Sequence, residues 1–143
     1  MSGAKFARRV FLAAGVYGLL VITPLYFLEG WLGRQNPPAI THPEFYYGFA
    51  GVALAWEIAF LVIAGDPLRF RPLIWPAMLE KLVYPAAATA LYMQRRLDAA
   101  SWLVSLIDLI FLALFAVSWL RTREAARPAI DPGTSKMAAV RNL

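Results

Sequence analysis

Four ionisable side chains lie inside stretches of sequence that are otherwise almost entirely apolar: Glu57, Glu80, Lys81 and Asp108. Carboxyl groups can donate or accept a proton or anchor a polar ligand, and a lysine beside them can neutralise one of them. Charged groups inside a membrane are costly and often mark a functional site. These four residues are therefore the candidates for a polar cluster that binds a ligand.

The positions of the four residues predict that they can meet. Glu57 lies eight residues before the end of one apolar run, and Glu80 lies eight residues after the start of the next. With roughly 1.5 Å of rise per helical residue, both carboxylates would lie about 12 Å below the same membrane surface. Asp108 would lie nearer the midplane. Lys81, with a reach of about 6 Å, could then pair with Glu57 or with Asp108.

The charges of the cluster do not balance. Three acids and one base leave two carboxylates without a compensating charge, and we expect at least one of them to be protonated. Three interpretations stay open. The residues could form a structural hydrogen-bonded network between helices, line a polar or proton-responsive pocket, or pair between the subunits of a homo-oligomer.

Composition predicts a membrane protein. Of the 143 residues, 60% are apolar and 16% are charged, whereas about 25% of an ordinary soluble domain is charged. The net charge of +5 comes from basic residues at the ends of apolar runs, which is typical of membrane topology and not of nucleic-acid binding. The chain has no cysteine and one histidine, which excludes cysteine-ligated cofactors and histidine-rich metal centres. We therefore expect no cofactor, no metal and no nucleic-acid partner.

Four apolar runs predict an all-α fold, namely an integral membrane four-helix bundle with short loops in the lipid bilayer. The predicted helices span about 8–28, 44–64, 72–93 and 99–121, so residues 1–121 would form one transmembrane domain. Residues 122–143 are polar and are predicted to form a disordered cytoplasmic tail. The second and third predicted helices are expected to pack as a hairpin, because the turn between them is short.

Small and helix-breaking residues predict where the helices pack and end. Ala14, Gly15 and Gly18 form a small face on which a neighbouring helix could approach closely. Residues 30–43 are rich in glycine and proline and are predicted to form the longest internal loop. His42 is predicted to be an interfacial or capping residue and not a catalytic one, because the proline and glutamate that follow it are typical of a helix start.

The basic residues predict the orientation. Ten Lys and Arg residues fall on the side that would hold both termini and the turn at 66–71, and three fall on the other side. Because basic residues concentrate on the cytoplasmic side, both termini are predicted to be cytoplasmic. The protein would be a multi-pass protein of the inner (plasma) membrane.

One short motif supports a family resemblance. The sequence D-P-x-R-x-R-P at 66–72, followed by L-E-K at 79–81, lies among four short-looped helices over residues 10–120. This arrangement resembles small uncharacterised bacterial inner-membrane proteins of the BphX-like and DoxX-like kind. The resemblance implies a four-helix bundle and supplies no activity or site residues.

Three functions are compatible with the sequence. The first is a binding or accessory protein that holds a hydrophobic small molecule against the four charged residues. The second is an acid/base enzyme of the isomerase type on an apolar substrate; paired carboxylates permit it, but no further catalytic motif supports an enzyme. The third is a proton-coupled transporter, which would have to dimerise because four helices without an internal repeat do not build a pathway.

Overall fold

The computed structural model describes residues 3–35 and 39–123, and the elements within them are helices. The helices are α1 (Gly3–Ile22), α2 (Leu25–Gln35), α3 (Pro43–Gly65), a 3-10 turn (Arg71–Leu73), α4 (Ile74–Met93), α5 (Ala99–Ser105) and α6 (Ile107–Thr122). The all-α prediction is confirmed for this part of the chain. The tail predicted at 122–143 lies almost entirely outside the described residues.

Two helical segments are long and apolar enough to cross a membrane: α3, and the segment Ala99–Thr122 that contains α5 and α6. A third is added if α1 and α2, which are bent by 58° at their junction, count as one span. By the same criterion of length and composition α4 does not qualify, since Glu80 and Lys81 lie within its 20 residues. Length and composition thus support membrane association.

The first helix differs from its prediction. One helix was expected at about 8–28, but α1 ends at Ile22 and α2 begins at Leu25. The break contains Pro24, which lacks a backbone N–H and whose ring clashes with the carbonyl of the preceding turn of helix. The loop expected at 30–43 is correspondingly shorter, because α2 continues to Gln35 through two glycines that do not end it.

Two tyrosines hold α2 against the start of α3. The Tyr46 hydroxyl donates a hydrogen bond to the backbone carbonyl of Leu25 at 2.7 Å, and the Tyr47 hydroxyl donates to Glu29 Oε2 at 2.8 Å. His42 is the N-cap residue of α3, and its side chain makes no capping hydrogen bond. These contacts fix the bent α1–α2 pair beside α3.

The fourth predicted helix, expected at about 99–121, is found as the helical segment Ala99–Thr122. It contains a local irregularity at Leu106, between α5 and α6. There the backbone N–H of Leu106 donates to the carbonyl of Leu103 at 3.2 Å, a spacing of three residues and not four. The Ser105 hydroxyl donates to the carbonyl of Trp102 at 2.6 Å and so competes with the regular backbone bonds. Asp108 lies just after this irregularity, near the middle of the segment Ala99–Thr122.

Asp98 is the N-cap residue of α5. Its carboxylate accepts a hydrogen bond from the backbone N–H of Ser101 at 2.9 Å. Hydrogen bonds from the Ser101 side chain and backbone hold the pKa of Asp98 below its usual value. The chain therefore re-enters helix at a well-defined residue after the 94–98 turn.

The helices do not pack in the order of the chain. α3 packs chiefly against α1, and α4 packs chiefly against α6, while α3 and α4 touch little. The close packing predicted for these two helices is therefore wrong, although the Glu57–Lys81 ion pair expected between them is present. The core instead joins α1, α3 and α6 through three buried rings, with Phe11 stacked on Phe115 at 4.2 Å and Phe60 edge-on to Phe115 at 5.2 Å between centroids.

The small face of α1 explains why α3 chooses α1. A Cβ atom added at Gly15 would overlap the Leu61 side chain and the backbone oxygen of Glu57, and one added at Gly18 would overlap the Glu57 carboxylate. The prediction that this face allows close helix approach is confirmed. Between α3 and α4, in contrast, a groove remains.

The turn after α3 is fastened to the end of α6. Arg71 donates hydrogen bonds to Thr122 Oγ1 and to the carbonyl of Trp119, both at 3.3 Å. Its guanidinium also lies 3.4 Å from the centroid of the Trp119 ring. Because the last carbonyls of a helix lack intrahelical partners and carry partial negative charge, an arginine is well suited to this position. The contact brings the base of α4 beside the end of α6.

Candidate functional site

Lys81 lies at the centre of the four residues singled out from the sequence. Its Nζ is 3.5 Å from Glu57 Oε1, 3.2 Å from Glu80 Oε2 and 3.4 Å from Asp108 Oδ1. The acids come from three helices, α3, α4 and α6, and all of these ion pairs lie within one chain. The structure therefore brings the four residues together, and their role in binding a ligand stays a prediction.

Each member is held by its own local structure. Glu57 is 3% exposed and its carboxylate occupies the space left by the missing side chain of Gly18. Asp108 lies two residues after the irregularity at Leu106, and from there its Oδ1 reaches the Lys81 ammonium at 3.4 Å. Lys81 is 6% exposed, and its ammonium also lies 5.1 Å from the centroid of the buried Phe60 ring, a cation–π distance.

Two oxygens of the cluster are buried without a hydrogen-bond donor among the described residues, Glu57 Oε2 and Glu80 Oε2. Glu80 Oε2 is within ion-pair distance of Lys81 but outside hydrogen-bond geometry. Buried polar atoms are normally hydrogen-bonded, and an unpaired one carries the cost of its lost hydration. The cluster thus has acceptor capacity that its own residues leave unused.

A cavity of about 260 Å³ lies against the cluster, and all four charged residues line it. Apolar and aromatic side chains form most of the remaining wall, and its members include Tyr17, Val21, Phe49, Ala53, Tyr84 and Ile107. The cavity is much larger than one water molecule, whose share of liquid volume is about 30 Å³. It is close to the lower end of the range for small-molecule sites, about 300 Å³.

A more open groove of about 490 Å³ lies beside the cavity. It runs between α3 and α4, where the two helices touch little, and its wall includes Val52, Trp56, Leu79 and Val83. Cavity and groove share four lining residues: Phe49, Ala53, Glu80 and Tyr84. A molecule with its head at the cluster could therefore extend between the two helices.

No protein-family model, curated protein or solved structure matches the chain. The resemblance to BphX-like and DoxX-like proteins stays a prediction.

Sequence reasoning missed parts of the site. The sequence predicts only a helix-packing role for Gly18, whereas Gly18 also leaves the space that the Glu57 carboxylate occupies. Phe60 was not singled out, although its ring faces the Lys81 ammonium. Its position three residues after Glu57, on the same helix face, was the one signal that could have found it. His42 is exposed and does not line the cavity.

Metal binding finds no support in the part of the chain that the structure describes. No group of three or more His, Asp or Glu side chains in residues 3–35 and 39–123 is arranged to hold a metal ion. The three acids of the cluster surround an ammonium group instead. What the arrangement can do chemically is to accept hydrogen bonds and protons beside an apolar cavity.

Proposed function

We propose that this chain is a small multi-pass membrane protein that binds a hydrophobic small molecule, acting as a binding or accessory protein. One observation carries the proposal: the cavity has the four charged residues on one side and apolar or aromatic residues over most of the rest. Ligand sites commonly combine a mostly apolar wall with a few convergent polar groups that orient the ligand. The cluster would orient the head of the molecule, and the walls would hold its apolar part.

An acid/base enzyme is the second candidate, favoured by one observation. Glu57 Oε2 and Glu80 Oε2 accept no hydrogen bond from the described residues and lie on residues that line the cavity. Either oxygen could take a proton from a bound substrate. Binding ranks first because it needs only these acceptors and the apolar wall, whereas catalysis also needs a group that stabilises charge developing in the substrate.

We further propose four membrane spans: the bent α1–α2 pair, α3, α4 and the α5–α6 pair. The inclusion of α4 is supported by the pairing of its two charges inside the bundle, because Glu80 and Lys81 meet acids of α3 and α6 and need not face lipid. Trp75 at the start of α4 suits a membrane interface. The excess of basic residues on one side supports cytoplasmic termini and a location in the inner membrane.

Reporter fusions test this topology. We expect an enzyme that is active only in the cytoplasm to be active when fused after Leu143 and inactive when fused after Arg34 or Gln94. A periplasmic reporter at the same positions serves as the control and should show the opposite pattern. Cytoplasmic activity after Arg34 would contradict the orientation.

Extraction of the purified protein tests the binding function. We expect protein purified in mild detergent to retain a hydrophobic small molecule that mass spectrometry of a solvent extract detects. Ala53→Phe should abolish its retention, since Ala53 lines both the cavity and the groove. The matched control is Ala113→Phe, which adds the same ring at an exposed position of α6 and should leave retention unchanged. Equal retention by wild type and Ala53→Phe would show that the molecule is bulk lipid and not a cavity ligand.

A further inference from the structure

The cavity offers a ligand more acceptors than donors. The ammonium group of Lys81 has three hydrogens and lies within 3.5 Å of three carboxylates. It donates to Glu57 Oε1 and Glu80 Oε1 and forms an ion pair with Asp108, so at most one of its hydrogens is left for a ligand. Glu57 Oε2 and Glu80 Oε2, in contrast, have no donor among the described residues. A ligand that supplies N–H or O–H groups would satisfy them.

The charge of the cluster further limits which kinds of head group the cavity can bind. When ionised, the three acids outnumber the single base, and the excess negative charge lies at the wall of the cavity. Uncompensated charge in a low-dielectric site is strongly unfavourable, and a bound cation offsets it. A bound anion would instead add to the excess. A positively charged head group with hydrogen-bond donors therefore fits both properties of the site.

The groove between α3 and α4 supplies the place for a tail. It is lined largely by apolar side chains, and it meets the cavity at Phe49, Ala53, Glu80 and Tyr84. Glu80 belongs to both, so a head group bound at its carboxylate has the groove directly beside it. An unbranched apolar chain can follow such a groove between two helices.

We propose, on the basis of the binding function above, that the ligand is an amphiphilic amine. Its protonated primary or secondary amino group donates hydrogen bonds to Glu57 and Glu80 in the cavity, and its apolar tail lies in the groove between α3 and α4. The charge of the amine thereby compensates a second carboxylate, as a second lysine would. The tail accounts for the gap between two helices that the chain places next to each other.

A series of ligands with one tail and different heads tests the proposal. The probes are dodecylamine, dodecanol, dodecyltrimethylammonium and dodecanoate, added to the protein in nanodiscs of zwitterionic lipid and measured by native mass spectrometry. We expect dodecylamine to bind at least about 10-fold more tightly than dodecanol, which brings a donor without charge. Dodecyltrimethylammonium, which has charge without a donor, should also bind more weakly than dodecylamine, and dodecanoate should not bind.

Two variants assign the binding to the cluster. Glu57→Gln should weaken dodecylamine binding about 10-fold or more while leaving dodecanol unchanged. Glu44→Gln is the matched control, because Glu44 is exposed and does not line the cavity, and it should leave dodecylamine binding unchanged. If Glu57→Gln does not fold, Glu80→Gln replaces it with the same expected result, since Glu80 also lines the cavity.

The outcomes separate this inference from the binding function. Binding of dodecanol as tight as that of dodecylamine, abolished for both by Ala53→Phe, would overturn the amine proposal and leave a general hydrophobic site standing. Loss of dodecylamine binding in Glu57→Gln and in Ala53→Phe, with binding unchanged in Glu44→Gln, supports the amine proposal. Absence of any probe or extracted molecule that responds to Ala53→Phe would overturn both.

Discussion

Replacing Lys81 with methionine will destabilise the protein more than any other single loss of charge. Methionine keeps most of the length and apolar stem of lysine but removes the one positive charge that faces Glu57, Glu80 and Asp108. Three carboxylates would then share one buried site, and removing one partner of a buried ion pair typically costs about 3 to 5 kcal/mol. The free energy of unfolding in mixed detergent micelles measures the loss. Lys5→Met is the matched control, since Lys5 is exposed, and should change stability by less than about 0.5 kcal/mol.

A double substitution separates structure from function. Lys81→Met combined with Glu57→Gln removes one charge of each sign, and it should recover much of the stability lost in Lys81→Met. If the cluster only holds the helices together, the double variant should also retain the hydrophobic ligand. If it binds the ligand, stability returns while retention stays lost. Unchanged stability in Lys81→Met would show that its ammonium has left the cluster for the membrane surface.

The cluster was easier to predict than the packing of the helices that carry it. Glu57 and Glu80 could be placed at one level because both were counted from the same short turn, and their distance from that turn depends only on the rise of a helix. The depth of the two carboxylates does not depend on which helices pack together. It is therefore unaffected by the packing of α3 chiefly on α1 and of α4 chiefly on α6.

Local sequence patterns do not fully predict where the helices break. Pro24 is a known helix breaker, yet a proline in the same setting, Pro85, lies within an uninterrupted α4. Pro85 deprives the Lys81 carbonyl, four residues earlier, of its usual backbone donor, and α4 nevertheless continues through both residues. Leu106 has no breaker character, and its turn depends on the Ser105 hydroxyl and on the packing around it. Such choices are made by tertiary contacts that one sequence does not display.

The gap between α3 and α4 could not be predicted for a similar reason. A short turn predicts that two helices are neighbours, but how closely they approach depends on the side chains between them. α1 offers α3 a glycine face, whereas the facing side chains of α3 and α4 include Trp56 and Leu79, which line the groove. The groove remains because α3 packs closely against α1 and only loosely against α4.

Gly18→Ala will disrupt the cluster from the side of α1, by displacing the Glu57 carboxylate. The added Cβ would overlap the Glu57 carboxylate, which can move away only by leaving Lys81, 3.5 Å from it. The overlap itself is relieved by rotation of a flexible side chain, so the loss comes mainly from the broken ion pair and the altered packing. We expect a decrease of about 1 to 3 kcal/mol in the free energy of unfolding and weaker retention of the hydrophobic ligand.

Gly48→Ala is the matched control, because Gly48 lies in helix α3 and an added Cβ there would meet nothing within 4 Å. It should be neutral or stabilising by up to about 1 kcal/mol, since alanine favours the helix. The double variant Gly18→Ala with Glu57→Ala should be no less stable than Glu57→Ala alone, because the carboxylate that the new methyl group displaces is then absent. Additive losses in that double variant would mean that Gly18 acts only through backbone packing, and that the Glu57 carboxylate does not occupy the space beside it.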